Sequence, residues 1–232
     1  MLPKKMNVYM KRTRIIMLIA VIPFMATSRV TATAINSSRS TLNSSLQSET
    51  PNARQAKRVF STAWNHIYGP EGATFHYKIN ILGLYKEEGT SWNKGDKAKS
   101  VYEGSKMWND GDTKYILREK KRIVEIHDPK VNKADEKLQM FKFDADSYNY
   151  SIAKDPEGLL VTLDAKPKAK VKMKKVIALL APGNYYPKRM RIKVGIFWAT
   201  ITFSDFKAGK LNDDIFVFPR EKYADYEMVD MR

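Results

Sequence analysis

The stretch FHYKINIL, residues 75–82, alternates apolar and polar side chains with a period of two. Its polar side chains include a histidine, a lysine and an asparagine. The apolar ones are Phe75, Tyr77, Ile79 and Ile81. A β-strand with one buried face produces this alternation, because successive side chains point to opposite sides of an extended chain. The domain is therefore predicted to be built around β-strands.

The same alternation returns nearer the C-terminus, where large apolar residues alternate mostly with lysine and arginine. The apolar positions of these predicted strands are Val171, Met173, Met190, Ile192, Val194, Phe197, Ile201 and Phe203. Turn-forming or charged segments separate the strands at residues 109–112, 118–121, 155–158 and 182–184. Many short strands between turn signals predict a mainly antiparallel β domain, of α+β class because helices accompany it.

One amphipathic helix is predicted before the first strand. Thr50 and Pro51 are typical of a helix N-cap and first turn, and Gly69 follows the last apolar position. The apolar residues between them recur every three or four positions, as one face of a helix requires. They are Ala56, Val59, Phe60, Ala63, Trp64 and Ile67. A second, short helix is predicted near residues 133–141.

The N-terminus has the three parts of a signal peptide, which is predicted to span residues 1–34. Basic residues come first, an apolar run covers residues 15–26, and Ala32 and Ala34 form a peptidase site. As a helix the apolar run would rise about 18 Å, short of the roughly 30 Å membrane core that a retained anchor must cross. We expect cleavage near Ala34, a flexible Ser/Asn/Thr-rich leader over 35–52, and one domain over 53–232.

The charge balance is strongly basic, with a formal net charge of +16 at pH 7. Six of the 41 basic residues lie in the predicted signal peptide, so 35 remain against 25 acidic residues, a net charge of +10. Such a charge favours nucleic acid or an anionic membrane as a partner. Export excludes nucleic acid. Anionic lipid headgroups, or a solvated surface without a partner, remain.

The sequence contains no recognisable catalytic or metal-binding motif. Cysteine is absent, which rules out disulfides, thiolate metal sites and a cysteine nucleophile. The three histidines do not form a zinc motif, and no G-x-S-x-G sequence occurs. We therefore predict a protein that is not an enzyme and carries no metal or cofactor. A secreted hydrolase that uses scattered carboxylates is the alternative from another class.

Two rows of basic residues are spaced at period two and are predicted to project from strand faces opposite the apolar stripes. The turn at 182–184 would fold the two strands into a hairpin and set the rows side by side. The patch comprises Lys168, Lys170, Lys172, Lys174, Arg189 and Arg191, with Lys193 next to it. It would attract anionic lipid headgroups. The alternative is a solvated face whose lysines protect an edge strand from pairing with other chains.

Several segments, in order, resemble the LolA family of periplasmic carriers of outer-membrane lipoproteins, in its divergent Bacteroides-type form. They include an aromatic strand after the opening helix, an aromatic hairpin with an Asp-Gly-x-Thr turn, a strand ending in Asp-Pro, and the C-terminal region. These segments are FHYKI at 75–79, MWNDGDTKY at 107–115, RIVEIHDP at 122–129, LNDDIFVF at 211–218 and YADYEMVDMR at 223–232. The resemblance spans residues 53–232.

The resemblance implies an incomplete, strongly curved antiparallel barrel, closed on its open side by helices, with an apolar cavity for acyl chains. It implies a monomer in the periplasm of a Gram-negative bacterium. Acylated lipoproteins or other lipids would be the cargo, with an inner-membrane donor transporter and an outer-membrane acceptor. A lipid- or glycolipid-binding sensor or carrier on the same fold is the nearest alternative.

On this interpretation the inward apolar stripes line a lipid site, although a packed core would show the same pattern. The predicted lipid-binding residues are Phe60, Trp64, Phe75, Tyr77, Ile79, Ile81, Trp108, Val171, Met173, Met190, Ile192, Val194, Phe197, Ile201 and Phe203.

Overall fold

A computed structural model describes residues 49–129 and 145–232, which form one α-helix and twelve β-strands. The helix α1 spans Pro51–Tyr68. The strands are β1 (Ala73–Ile81), β2 (Tyr85–Lys94), β3 (Lys97–Tyr102), β4 (Ser105–Asn109), β5 (Lys114–Arg118), β6 (Ile123–His127), β7 (Tyr148–Asp155), β8 (Gly158–Ala165), β9 (Met173–Leu180), β10 (Pro187–Val194), β11 (Phe197–Ala208) and β12 (Glu227–Asp230). Short 3-10 helices lie at Glu119–Lys121, Ala145–Ser147, Asp213–Phe216 and Arg220–Tyr223.

All twelve strands belong to one curved sheet that does not close into a barrel. Their order is β12-β6-β5-β4-β3-β2-β1-β11-β10-β9-β8-β7, so β12 and β7 are the edges. Neighbouring strands pair antiparallel, except that β12 runs parallel to β6. The predicted class, a mainly β fold with a curved antiparallel sheet in an incomplete barrel and an N-terminal helix, is confirmed.

Helix α1 begins and ends where its sequence predicts. The Thr50 hydroxyl accepts a hydrogen bond from the Ala53 amide at 3.2 Å, and Gly69 follows the last turn. Because the helix begins at Pro51, the last two residues of the predicted leader belong to it. The predicted signal peptide, residues 35–48 of the predicted leader and the predicted helix near 133–141 lie outside the described residues.

The apolar side of α1 packs against one face of the sheet, which we call the helix face. The buried helix residues are Ala56, Val59, Phe60, Ala63 and Ile67. They join apolar side chains of β1 and of β7 through β11 in one hydrophobic cluster. Burial of this apolar surface holds α1 on the sheet.

A second apolar cluster lies on the opposite face of the sheet, which we call the far face. Its buried members are Trp108 of β4, Leu117 of β5, Val124 of β6, and Phe218 from the C-terminal segment. The register explains the change of face. Tyr77 on the helix face pairs with Gly89, Gly89 pairs with Tyr102, and Tyr102 pairs with Ser105, so all four side-chain positions share the helix face. Trp108 is an odd number of residues after Ser105 on β4. Because side chains alternate along a strand, Trp108 points to the far face. The prediction that Trp108 lines an inward lipid site is therefore wrong.

The predicted lysine-rich strand over residues 166–174 is also wrong. Strand β8 ends at Ala165 and β9 begins at Met173, so residues 166–172 form a connection between them. Pro167 has no amide hydrogen to donate to a strand ladder. The Ala169 amide instead closes a turn on the Lys166 carbonyl at 2.9 Å.

Candidate functional site

A small cavity lies between α1 and the helix face of the sheet, with a volume of about 90 Å³. Side chains from the end of α1, from β1 and from its neighbouring strands form its walls. They are Trp64, Ile67, Tyr68, Phe75, Tyr77, Ile79, Ser91, Asn93, Gly95, Asp96, Lys97, Ala98, Ser100, Asn109, Met190, Ile192, Ile201 and Phe203. Drug-sized ligands occupy pockets of about 300–1,000 Å³, so this cavity is too small to hold one.

The two walls of the cavity differ in chemistry. Helix α1 and strands β1, β10 and β11 supply aromatic and aliphatic side chains, such as Phe75, Met190 and Ile201. Strands β2, β3 and β4 supply hydroxyl and amide groups, because small polar residues occupy their helix-face positions. These are Ser91, Asn93, Ser100 and Asn109. The cavity is therefore amphipathic, with small polar side chains on one side and aromatic and aliphatic side chains on the other.

Most polar side chains on this wall form hydrogen bonds within the protein, but one does not. The Asn93 amide donates to the Ser91 hydroxyl at 2.9 Å, and the Asn109 amide donates to the Asp96 carbonyl at 3.0 Å. Ser100 is 1% exposed, and its hydroxyl has no hydrogen-bond partner among the described residues. Burying a hydroxyl without a partner costs about 1–3 kcal/mol. A bound molecule with an acceptor oxygen would recover part of that cost.

The structure brings eight of the predicted lipid-binding residues to the cavity. They are Trp64, Phe75, Tyr77, Ile79, Met190, Ile192, Ile201 and Phe203. Phe60 and Met173 are buried in the helix-face cluster without lining the cavity, and Ile81, Val171 and Val194 pack at that cluster's margin. Phe197 is 53% exposed. A role for any of these side chains in binding lipid stays a prediction.

A carboxylate on β2 lies beside the cavity and is held by two tyrosines. The Tyr77 hydroxyl donates to Glu87 at 3.0 Å, and the Tyr85 hydroxyl donates to its other oxygen. Burial raises the pKa of Glu87, although both hydrogen bonds act in the opposite direction. Burial and the same carboxylate raise the pKa of Tyr77. The hydrogen bond to Glu87 anchors the hydroxyl of Tyr77, whose ring lines the cavity.

A second polar cluster lies on the helix face of β5 and β6. Arg118 donates two hydrogen bonds to Glu125, both at 3.3 Å, and a ring nitrogen of His127 lies 3.4 Å from the same carboxylate. Burial acts to raise the pKa of Glu125, but the hydrogen bonds from His127 and Arg118 outweigh it and lower the pKa to about 2. Glu125 is thus an ionised partner of Arg118 at neutral pH, which gives it a structural role.

The residues of the predicted basic patch do not lie on two paired strands. Arg189 and Arg191 project from the far face of β10, as predicted, opposite Met190 and Ile192. Arg189 pairs with Glu157 at 2.9 Å, and the Arg191 guanidinium stacks over the Trp198 ring at 4.7 Å. The four lysines do not form the predicted strand row beside these arginines. Lys168, Lys170 and Lys172 are in the connection after β8, and Lys174 is at the start of β9.

Sequence reasoning missed the polar wall of the cavity. Its signal is a run of small polar residues at alternate positions on β2 and β3, which includes Ser91, Asn93 and Ser100. Large residues of the far face, such as Trp92 between Ser91 and Asn93, make that alternation hard to recognise in the sequence. Among the described residues, no group of three or more histidine, aspartate or glutamate side chains is arranged to hold a metal ion.

Comparison with solved structures identifies the fold. An uncharacterized conserved protein from Thermus thermophilus matches with a TM-score of 0.51 and 10% sequence identity, over 76% of this chain and 99% of that one. This chain has the fold of the Thermus protein. No protein-family model matches the sequence, and no curated protein does.

Other solved structures match with lower scores. A LolA superfamily protein from Nitrosomonas europaea has a TM-score of 0.33 at 10% identity, over 70% of this chain and 97% of that one. Lipoprotein LppX from Mycobacterium tuberculosis has a TM-score of 0.40 at 13% identity, over 69% of this chain and 99% of that one. Likeness of this degree assigns no activity. Among the described residues, no helix is both long and apolar enough to cross a membrane.

Proposed function

We propose that the protein is a carrier that holds an acyl chain of an amphiphile between α1 and the helix face of the sheet. The observation that carries the proposal is the amphipathic cavity, with one wall of aromatic and aliphatic side chains and one unpartnered buried hydroxyl at Ser100 on the other. A hydrocarbon chain matches the first wall. An ester or amide carbonyl next to that chain matches the second.

The energetics explain why such a molecule needs a carrier in an aqueous compartment. Each buried methylene group stabilises an acyl chain in a membrane by about 0.8 kcal/mol, so a chain of about sixteen carbons is held by on the order of 12 kcal/mol. A carrier must offer comparable apolar surface and must still release the chain. Side chains of this protein that fill the interior when no chain is bound supply that competition.

The small volume of the cavity implies that α1 moves during loading. A pocket for a lipid needs several times the observed volume of about 90 Å³. Apolar residues of α1, such as Ile67, occupy the space between the helix and the sheet. If α1 moves away, this space becomes continuous with the cavity, and the chain replaces contacts that the helix makes when the site is empty.

Lipoproteins are the proposed cargo, and the periplasm of a Gram-negative bacterium is the proposed compartment. The signal-peptide pattern over residues 1–34 and the sequence resemblance to the LolA family support both proposals. The cargo would come from an inner-membrane transporter and pass to an outer-membrane acceptor. The carrier itself would need no catalytic group, metal or cofactor for this role.

The experiment that tests the carrier function fills the cavity from one strand. Ala98 of β3 lines the cavity, whereas Val101 of the same strand points to the far face. The full chain is expressed in a Gram-negative host, recovered from the periplasm and analysed by native mass spectrometry. We expect co-purified acylated species with the wild type and with Val101→Phe, and their loss with Ala98→Phe, because phenylalanine occupies the space that the chain enters.

Absence of acylated species from the wild type, or equal amounts in both variants, would contradict the proposal. Transfer of the bound species to acceptor membranes separates a carrier from a sensor, which would retain its ligand.

Ser100→Ala is expected to remove the preference for a carbonyl oxygen. The wild type should bind an acyl ester about three to ten times more tightly than the matching alkyl ether, because only the ester carbonyl accepts well from the Ser100 hydroxyl. In the alanine variant both lipids should bind equally. Displacement of a fluorescent fatty acid measures the four affinities, and an ester preference that survives in Ser100→Ala would exclude this hydrogen bond.

A further inference from the structure

Several turns of the sheet lie at the same end, and two of them are adjacent. Ile81 at the end of β1 pairs with Tyr85 of β2 on one side and with Ala199 of β11 on the other. Val194 at the end of β10 pairs with Phe197. The β1–β2 turn and the β10–β11 turn therefore project side by side, and we call this end of the sheet the rim.

Both turns of the rim expose large apolar side chains. Leu82 and Leu84 in the first turn are 51% and 87% exposed, and Ile196 and Phe197 in the second are 82% and 53% exposed. Only two other large apolar residues in the described ranges are comparably exposed. A single exposed leucine is ordinary, but four large apolar residues on adjacent turns form the kind of patch that marks a binding surface.

The lysine-rich connection between β8 and β9 lies at the same rim. Strand β8 ends beside the start of β9, where Asp164 pairs with Lys175, and Met173 pairs with Val194 at the end of β10. The connection thus neighbours the β10–β11 turn. Its lysines and the first lysine of β9 are exposed: Lys166, Lys168, Lys170, Lys172 and Lys174.

These lysines are mostly free of carboxylate partners in the described part of the chain. Lys166 donates to the Asp146 carbonyl at 2.7 Å, while no ion pair forms between the other four lysines and a described carboxylate. Two of the acids close to the apolar turns are already engaged. Glu88 pairs with Lys78 at 3.1 Å, and Glu87 accepts from two tyrosines. The rim therefore combines exposed apolar turns with uncompensated positive charge.

We propose that the rim docks on an anionic lipid bilayer, with the two apolar turns entering the headgroup region and the lysines facing lipid phosphates. Charge complementarity selects this partner, because apolar side chains beside a cluster of cations are the combination that binds anionic interfaces. The proposal rests on exposed residues of the rim, and it holds whether or not the cavity binds an acyl chain.

Docking would also place the cavity near the membrane. The strands that carry the two turns also supply cavity residues, among them Ile79 of β1 and Ile192 of β10. These residues lie two positions from Ile81 and Val194, the last residues of their strands. A molecule that leaves the bilayer at the rim would thus have a short path to the amphipathic cavity.

Vesicle flotation tests the proposal with protein recovered from the periplasm of a host that expresses the full chain. Vesicles of phosphatidylcholine alone are compared with vesicles that also contain phosphatidylglycerol, at low and high salt. We expect the wild type to float with the anionic vesicles, and less so at high salt because ions screen the lysines. Leu84→Ser with Ile196→Ser should weaken this binding at least about tenfold.

A matched control removes the same kind of residue elsewhere. Val217 and Met231 are 58% and 57% exposed and lie outside the rim, so Val217→Ser with Met231→Ser should leave flotation unchanged. Gln in place of Lys168, Lys170, Lys172 and Lys174 should abolish the salt dependence. Thermal unfolding verifies that each variant folds. Equal flotation of the rim and control variants, or a wild type that ignores anionic vesicles, overturns the proposal.

Discussion

Replacing Trp108 with alanine is expected to lower the free energy of unfolding by about 3–5 kcal/mol. Trp108 is 4% exposed, and its ring lies 5.3 Å from the Phe218 ring and 6.0 Å from the Tyr223 ring, measured between centroids. Alanine would leave a cavity beneath the C-terminal segment, which packs on β4 to β6 through these rings. Urea denaturation of wild type and variant measures the difference.

Trp92 provides a matched control for this experiment. It points to the far face of β2 but is only partly buried, with the Lys99 ammonium 5.2 Å from its ring. Trp92→Ala should cost less than about 1 kcal/mol, which is the scale of a partly exposed cation–π contact. Equal destabilisation by the two substitutions would mean that the far-face cluster contributes no special stability. Lipid binding by folded Trp108→Ala should be unchanged, since Trp108 does not line the cavity.

Cross-linking α1 to the sheet is expected to abolish loading of lipid. His66 near the end of α1 contacts Tyr186 before β10, with ring centroids 5.0 Å apart. Because the sequence contains no cysteine, His66→Cys with Tyr186→Cys creates a unique thiol pair that a short bismaleimide can join. The linked helix cannot leave the sheet, so the cavity would remain near 90 Å³, too small for an acyl chain.

Uptake of a fluorescent fatty acid by delipidated protein, before and after cross-linking, measures loading. The two single-cysteine variants treated with the same reagent should load normally, which separates the effect of the link from that of the modification. If the cross-linked protein loads as well as the single variants, the chain enters without displacement of α1, and the proposed opening is incorrect.

Local sequence signals were sufficient for α1 and for most hairpins. Thr50, Pro51 and Gly69 mark the two ends of the helix through capping that depends only on neighbouring residues. The turn at residues 109–112 joins β4 to β5, and the turn at 182–184 joins β9 to β10. In each case a tight turn between paired strands is encoded within a few positions, so no long-range information is needed.

The elements that sequence reasoning missed depend on distant partners. Strand β2 reads YKEEGTSWNK and has no apolar stripe, since its helix-face positions hold Glu87, Gly89 and Ser91. Its strand conformation comes from pairing with β1 on one side and β3 on the other. The prediction for the lysine-rich segment failed in the opposite way. Its residues alternate like those of a strand, but residues 166–172 lie between β8 and β9 and have no partner strand to pair with.

The change of face at β4 was the main obstacle to predicting the site. Period-two patterns show which residues share a face within one strand, but not whether two strands present their apolar faces to the same side. Met107 and Trp108 are both buried, one on each side of β4, because the C-terminal segment covers the far face. The placement of Trp108 thus follows from the fold of residues over a hundred positions away.

The two apolar clusters on opposite faces also allow stability to be divided between separate cooperative units. No side chain belongs to both clusters. When α1 separates from the sheet, it removes no contact from Leu117, Val124 or Phe218, so local opening has a lower free-energy cost than global unfolding. Amide hydrogens of β5 and β6 would remain protected from exchange through that event. With the opening proposed above, one side of the molecule would open and close repeatedly while the other side preserves strand register.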